Sequence, residues 1–245
     1  MLDGPIAFVF TALCMLPAAA HAQGHARRDT VPWVTHRNLI AAEAAVGTTL
    51  LLVPFDRPIS SEFTEPAWAR GQIKRRVADR IAIVGGGDPL MASAAIAVVA
   101  EGLGFPGAAA VATHTTESIL LAGGVAGIVR GVTGRALPSV STKDEFSFGR
   151  GFHDRNGPFV SFPSGHTASA FAIAAVLSGE VGRAHPRLAR FVTPFVYTVA
   201  TAVGFARVAQ RVHWPTDLPL GLLIGTWSGQ TIEAHFAGDS TRRAP

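Results

Sequence analysis

Five apolar runs, separated by polar stretches and by glycine- and proline-containing breaks, constrain the fold of this 245-residue chain more than any other feature. Two of them, residues 90–103 and 108–129, flank the turn-forming residues 104–107 and therefore predict a helical hairpin. The other three predict helices at residues 166–181, 191–207 and 218–234. Strand signals are scarce and no internal repeat is present, so we expect an all-α fold, a bundle of five to six core helices.

Composition leaves a narrow choice of protein class. Of the residues, 48% are hydrophobic and 16% are charged, whereas soluble domains carry about 25% charged residues. A disordered chain would be poorer in apolar residues and a coiled coil richer in Glu and Lys, so both classes are excluded. The net charge of +4 is spread without interleaved basic and aromatic residues, so no nucleic-acid partner is predicted. A membrane-embedded bundle or an unusually apolar soluble domain remains.

The first 22 residues have the pattern of a signal peptide. An apolar segment, residues 5–16, precedes Ala20-His21-Ala22, which fits an A-x-A cleavage site. Asp3, with no basic residue before the apolar segment, leaves an uncleaved anchor as the alternative. The single cysteine, Cys14, lies within this segment, so a processed chain would be held together without disulfides.

The chain after the predicted signal peptide divides by polarity. Residues 38–55 are apolar, but Glu43 leaves an uninterrupted stretch shorter than the about 20 residues that a membrane span needs. We therefore expect a peripheral helix there, followed by an amphipathic surface helix within residues 57–80. The predicted parts are an N-terminal stretch, 23–55, a domain, 56–235, and a tail, 236–245.

Two smaller features have competing interpretations. His114 and Glu117 share one face of the second hairpin helix, and ionisable groups in an apolar helix are candidates for function. The alternative is a polar contact between helices. The glycine-rich residues 85–89 predict a turn rather than a phosphate loop, since no lysine follows them and no strand precedes them.

A first chemical motif, Pro163-Ser164-Gly165-His166, lies immediately before a predicted helix. Backbone N–H groups at a helix start bind anions, and the helix dipole favours negative charge there. His166 is placed to give a proton to a leaving oxygen. The alternative is an ordinary helix start capped by Ser164 or Thr167.

A second motif combines Arg207, His213 and Asp217 in the loop between two apolar helices. An Asp that accepts a hydrogen bond from one imidazole nitrogen leaves the other nitrogen as a base or nucleophile. An arginine can form paired hydrogen bonds with phosphate oxygens. Spacing alone also permits a simple turn that contains a His and an Asp.

Together the two motifs resemble those of the type 2 phosphatidic acid phosphatases, in the superfamily shared with vanadium haloperoxidases and bacterial acid phosphatases. The resemblance covers residues 56–230. It implies an all-helical bundle that hydrolyses phosphomonoesters or diphosphates without a metal or other cofactor. In this resemblance His213 attacks phosphorus to form a phosphohistidine, Asp217 orients it, and His166 protonates the leaving group. The phosphoryl oxygens are held by Arg207 and by the amides of Ser164 and Gly165.

The chain departs from the first motif of that family, Lys-x6-Arg-Pro. Arg130 stands in place of the lysine, and Leu137, before Pro138, stands in place of the arginine. Arg135 is a candidate substitute phosphate ligand, with a plain surface arginine as the alternative. Ala206 replaces a serine before Arg207. Loss of one phosphate ligand costs about 1.5–3 kcal/mol of binding, so weakened activity is one expectation.

The pattern of charges predicts where the motifs lie. If residues 38–55 do not cross the membrane and the later helices do, both motifs share the periplasmic side of a bacterial inner membrane. The loop 182–190, with three arginines and no acid, then faces the cytoplasm, as positively charged loops do. The basic stretch 70–80 would bind anionic head groups outside.

The prediction is therefore a phosphatase whose substrate is a lipid phosphate or lipid diphosphate and whose surroundings are membrane lipid. Alternatives are a soluble periplasmic acid phosphatase acting on small phosphomonoesters, and a degenerate member that binds phospholipid without catalysis. A vanadium haloperoxidase is a further alternative, although that branch is usually longer. The sequence indicates neither the particular substrate nor the oligomeric state.

Overall fold

The computed structural model describes residues 32–63, 71–141, 144–149, 152 and 157–240. The predicted signal peptide and its cleavage site lie outside these residues. The described residues form helices and loops with no strand among them, which confirms the all-α prediction. The helices are α1 His36–Leu52, α2 Asp56–Glu62, α3 Gln72–Ala82, α4 Asp88–Gly102, α5 Pro106–Thr133, α6 Gly165–Ala184, α7 Pro186–Ala209 and α8 Asp217–Ser240.

The long helices run alternately between two ends of the bundle. We call the end that carries both sequence motifs the motif end and the opposite end the far end. Helix α1 begins at the far end, where the Trp33 ring lies 4.5 Å from the ring of His235 near the end of α8. It leads to the motif end, where Asp56 accepts a hydrogen bond from the Thr216 backbone at 3.0 Å. Helices α5 and α7 end at the motif end, and α6 and α8 begin there.

Helix α6 is the centre of the bundle, because it packs against α5, α7 and α8. Three glycines of α8, spaced four residues apart, bring its backbone against α6. A Cβ at Gly225 would collide with the carbonyl oxygen of Ala168, and a Cβ at Gly229 would lie 2.5 Å from the Cβ of Ala175. Small residues at this spacing allow close helix packing where lipid surrounds the bundle and apolar burial gives little driving force.

Residues 38–55 are part of a longer apolar helical segment than the sequence predicted. Helix α1 continues through a 3₁₀ turn, Val53–Phe55, into α2, so that His36–Glu62 is a 27-residue segment long and apolar enough to span. Asp56 does not end it, because this carboxylate is buried against Arg135. Within residues 57–80, where the sequence predicted a surface helix, residues 57–62 belong to α2 and the separate helix α3 begins at Gln72.

A second helix, Pro186–Ala209, is also long and apolar enough to span, and the pair Lys74–Gly85 and Asp88–Gly102, bent by 44°, would be a third. Large apolar side chains on the helices face outward, with Leu51 73% exposed and Val98 75% exposed. An outer surface this apolar is typical of helices that contact lipid rather than water.

The glycine contacts give a first prediction. Gly225→Ile forces a branched side chain into the α6–α8 contact and should destabilise the protein by about 1–3 kcal/mol, the usual cost of overpacking. The measurement is the thermal unfolding midpoint in detergent. Gly127→Ile on α5 is the matched control, because no atom lies within 4 Å of a Cβ there. Equal midpoints for the two variants would contradict the close α6–α8 packing.

Candidate active site

His213 lies buried in the short loop between α7 and α8. Its Nδ1 is 2.6 Å from the carbonyl oxygen of Ser161 and 3.4 Å from Oδ2 of Asp217. A carbonyl oxygen can only accept, so Nδ1 carries the proton and Nε2 keeps its lone pair. Burial lowers the pKa of His213, against the opposing effect of Asp217. The ring is therefore neutral at pH 7, with one nitrogen able to act as a nucleophile.

Asp217, the first residue of α8, is fully buried and surrounded by donors. Its carboxylate accepts hydrogen bonds from the Ser161 hydroxyl and from the Trp214 backbone N–H at 2.7 Å. Burial raises the pKa of this carboxyl, but the hydrogen bond with His213 and the charge of Arg135 more than offset it and hold the pKa below its usual value. Asp217 is therefore an anion, fixed beside the imidazole.

Arg135 lies behind Asp217, where its donors are taken up by the protein. Its Nη1 is 2.6 Å from Oδ1 of Asp217, and its Nη2 is 2.8 Å from Oδ2 of Asp56. Its Nε donates to the Glu145 carbonyl at 2.9 Å. The sequence suggested Arg135 as a substitute phosphate ligand, but two buried carboxylates attract the guanidinium away from that task. In the structure it holds Asp217 and Asp56 together.

Asp56 is a site residue that the sequence did not indicate. Its fully buried carboxylate also accepts a hydrogen bond from Thr216 Oγ1 at 2.6 Å, so it joins the segment formed by α1 and α2 to residues 210–216, the loop between α7 and α8 that we call the motif loop. It lies 160 positions from Thr216 in the chain. The one available signal was an acidic residue at the end of an apolar run.

The structure places Arg130 and Arg207 at the motif end, and each retains an unused donor. Arg130 Nη2 donates to the Pro163 carbonyl at 3.4 Å. The same nitrogen lies against Gly165, because a Cβ on Gly165 would be 2.5 Å from it. Arg207 Nη1 donates to Gln210 at 2.6 Å. The Nε of each arginine is buried without a hydrogen-bond partner in the described part of the chain. The oxygens of a bound phosphate could accept hydrogen bonds from both Nε–H groups.

The start of α6 supplies the remaining predicted residues. The Ser164 side chain caps the helix by accepting from the Thr167 N–H at 3.3 Å, and the Ser164 N–H donates to the Asp217 carbonyl at 3.1 Å. Ser164 thus takes the capping role that the sequence left as the alternative. The amides of Gly165 and His166, in the first turn, have no partner within the helix and are the ones available to an anion.

His166 lies outside both candidate spans, at the mouth of α6. Burial lowers its pKa to about 4, and the positive charges of Arg207 and Arg130 contribute. Gly86 lies against the ring, since a Cβ there would be 3.8 Å from Nε2. The glycine-rich segment, predicted only as a turn, therefore forms part of the wall around His166.

His114 belongs to a different cluster at the far end. Its Nδ1 lies 2.9 Å from Glu180 and 3.5 Å from Glu233, and Arg183 pairs with both carboxylates. Sixteen residues of helix separate His114 from Arg130, about 24 Å at 1.5 Å per residue. This placement matches the alternative of a polar contact between helices. Glu117, predicted with it, has one buried carboxylate oxygen without a hydrogen-bond partner in the described residues.

The buried ion pairs give a second prediction. Asp56→Asn removes one of the two carboxylates that pair with Arg135 and leaves Asp217 as the other, so it should cost about 1.5–3 kcal/mol of unfolding free energy, the range for a lost hydrogen bond to a charged group. The control, Glu101→Gln, removes an exposed carboxylate of α4 and should change stability by less than about 0.5 kcal/mol. Thermal unfolding in detergent measures both. An Asp56→Asn protein as stable as the control would show that the network does not support the loop.

Comparison with known proteins agrees with this geometry. Residues 112–234, half of the chain, match the family model described as the PAP2 superfamily. Over 86 residues the chain is 36% identical to a lipid A 1-phosphatase of Porphyromonas gingivalis, which covers 35% of this chain but only 18% of that protein. The chain thus spans less than a fifth of the length of the curated relative that it matches.

A solved structure supports the same fold. The crystal structure of a transmembrane PAP2-type phosphatidylglycerolphosphate phosphatase from Bacillus subtilis superimposes with a TM-score of 0.56 at 18% sequence identity. The match covers 86% of this chain and 98% of that one. At this identity the likeness concerns the fold alone. The family match, whose range includes the motif residues described above, shows that the chain belongs to the PAP2 superfamily.

Proposed function

We propose that this chain hydrolyses a lipid phosphate or lipid diphosphate through a phosphohistidine on His213, without a metal ion. The observation that carries the proposal is the state of His213. Its Nδ1 is bound to the Ser161 carbonyl, which leaves Nε2 as a nucleophile. Arg130 and Arg207, with unpartnered N–H groups, lie at the same end of the bundle. The names of the lipid A phosphatase and of the structural neighbour support a phosphorylated lipid as substrate.

In the first step, His213 Nε2 forms a bond to phosphorus as the bond from phosphorus to the leaving oxygen breaks. Negative charge on the phosphoryl oxygens is stabilised by Arg130, Arg207 and the first amides of α6. Such fixed donors are commonly the largest source of rate enhancement. Asp217 stabilises the positive charge that develops on the imidazole as Nε2 is phosphorylated.

His166 supplies the proton to the leaving oxygen. In the free protein burial, with a contribution from the nearby arginines, lowers its pKa and keeps the ring neutral at pH 7. The negative charge of a bound phosphate raises this pKa, and we propose that the ring takes up its proton when substrate is present. In the second step neutral His166 accepts a proton from water as its oxygen attacks phosphorus, and His213 leaves. General acid–base assistance of this kind contributes about 10²–10⁴-fold.

Leu137 favours a second candidate, a lipid-phosphate-binding protein without catalysis. The apolar side chain occupies the position at which the family motif carries an arginine, and Arg135 is committed to Asp56 and Asp217. The two candidates differ in whether a phosphoenzyme forms.

A trapping experiment separates them, and it is the third prediction. Lipid substrate labelled with ³²P in the scissile phosphate and quenched in base should leave label on the wild type that base preserves and acid removes. His213→Ala should lose the label and about 10³-fold or more of phosphate release, since it lacks the nucleophile. His185→Ala, at an exposed histidine of the far end, should behave as wild type. Phosphate release that persists in His213→Ala would contradict the proposal, and none from the wild type would favour the binding protein.

We also propose that the motif end faces the periplasm of a bacterial cell. Residues 182–190 connect α6 to α7 at the far end and contain Arg183, Arg187 and Arg190 without an acid, a pattern typical of cytoplasmic loops. If α1 crosses the membrane, its beginning lies on that same cytoplasmic side. That orientation excludes a signal peptide cleaved in the periplasm, so crossing by α1 and signal cleavage are alternatives.

Cysteine labelling tests the orientation as a fourth prediction. In a Cys14→Ser background, Asp144→Cys places one thiol in the exposed loop of the motif end. Ala184→Cys places one at the exposed far end. A membrane-impermeant maleimide should label Asp144→Cys in intact spheroplasts and Ala184→Cys only after lysis. The reverse result would place the motif end in the cytoplasm.

A further inference from the structure

A cavity of about 530 Å³ adjoins the candidate active site. It lies between α3, the end of α7 and the motif loop, and it shares Arg207 with the site described above. Neither His166 nor His213 lines it. A group that occupies this cavity would therefore lie beside a phosphate at the reacting centre rather than in its place. Its principal lining residues are Phe63, Arg75, Asp79, Ser139, Arg207 and Arg211.

Arg211 has an unusual backbone in this loop. Its φ is 59°, in the left-handed region that residues other than glycine rarely adopt. Arg211 is the one such non-glycine residue in the described ranges. Strained backbone of this kind persists where the surrounding structure or the function of the side chain requires it.

The Arg211 side chain is fixed but not fully used. Its Nη2 donates to the Pro138 carbonyl at 3.0 Å, and its own carbonyl accepts from the Ser139 N–H at 3.1 Å. Its Nε is buried with no hydrogen-bond partner in the described part of the chain. A buried donor without a partner indicates a missing acceptor. The side chain of Leu137, next to Pro138, has no hydrogen-bond acceptor.

The charge of the cavity identifies the acceptor. Among the described residues, three guanidinium groups line the cavity, those of Arg75, Arg207 and Arg211, against the single carboxylate of Asp79. That carboxylate already accepts a hydrogen bond from Gln210 at 2.7 Å. The excess of positive charge, with fixed and unused donors, suits a dianion such as a phosphate group.

We propose that this cavity binds a second phosphate of the substrate, carried next to the scissile one, and that Arg211 sets the preference for such substrates. The proposal rests on the phosphatase function proposed above. It names the substrate class as lipids with two neighbouring phosphates, joined directly as in a diphosphate or a few bonds apart as in phosphatidylglycerol phosphate. Arg207 would contact both phosphates, and Arg75 would reach the second from α3.

The test compares matched substrates in detergent micelles. The ratio of kcat/KM for a prenyl diphosphate to that for the prenyl monophosphate of equal chain length is measured first. The ratio of kcat/KM for phosphatidylglycerol phosphate to that for phosphatidate is measured second. Comparing the two ratios distinguishes phosphates that are joined directly from phosphates that lie a few bonds apart. In Arg211→Gly at least one ratio should fall by about tenfold to a hundredfold, the range for a lost hydrogen bond to a charged group. Glycine suits the left-handed backbone, so this variant should fold at least as well as the wild type.

Two further variants control for a merely structural effect. Arg75→Ala should lower the same ratio, whereas Arg76→Ala, its exposed neighbour outside the cavity, should leave it unchanged. If Arg211→Gly lowers kcat/KM equally for all four lipids, the second-phosphate site is overturned and the phosphatase function stands. If the wild type releases phosphate from none of them, the phosphatase function fails and the inference with it.

Discussion

The buried ion pairs of Arg135 with Asp56 and Asp217 are the constraint on which the rest of the site depends. One guanidinium joins the helix formed by α1 and α2 to the first residue of α8, at 2.8 Å and 2.6 Å. Such a group is costly to bury and remains favourable only when its donors are satisfied. Its carboxylates and the Glu145 carbonyl meet that condition, so the motif loop has one stable position. Through Asp217 that position fixes the imidazole of His213.

The arginines of the motif end divide by how fully they are engaged. Arg135 has partners on its Nε and on both terminal nitrogens, whereas Arg130, Arg207 and Arg211 each keep a buried Nε without one in the described residues. The fully paired guanidinium of Arg135 supports the loop. The three arginines with an unpaired Nε are suited to binding an anion. Substrate phosphate would complete the hydrogen bonding that the protein leaves unfinished. Electrostatic stabilisation at such a site requires no reorganisation during the reaction.

The sequence predicted the parts of this account that depend on neighbouring residues. The all-helical fold followed from apolar runs, and His166, His213 and Arg207 lie at the end of the bundle that their motifs indicated. Contacts distant in sequence could not be predicted in this way. Asp56 seemed to end an apolar segment, because an unpaired charge would do so, and only the fold supplies its arginine. The unused donor of Arg211 depends equally on a cavity formed by α3 and α7.

The central claim is that the loop holds His213 as the neutral tautomer with the proton on Nδ1. Nitrogen-15 NMR of histidine-labelled protein in detergent at pH 7 tests it directly, with the His213 signals assigned by their loss in His213→Asn. The account predicts a protonated Nδ1 and an unprotonated Nε2 with the chemical shift of a free lone pair. A protonated Nε2, in either the other tautomer or the imidazolium form, would contradict it.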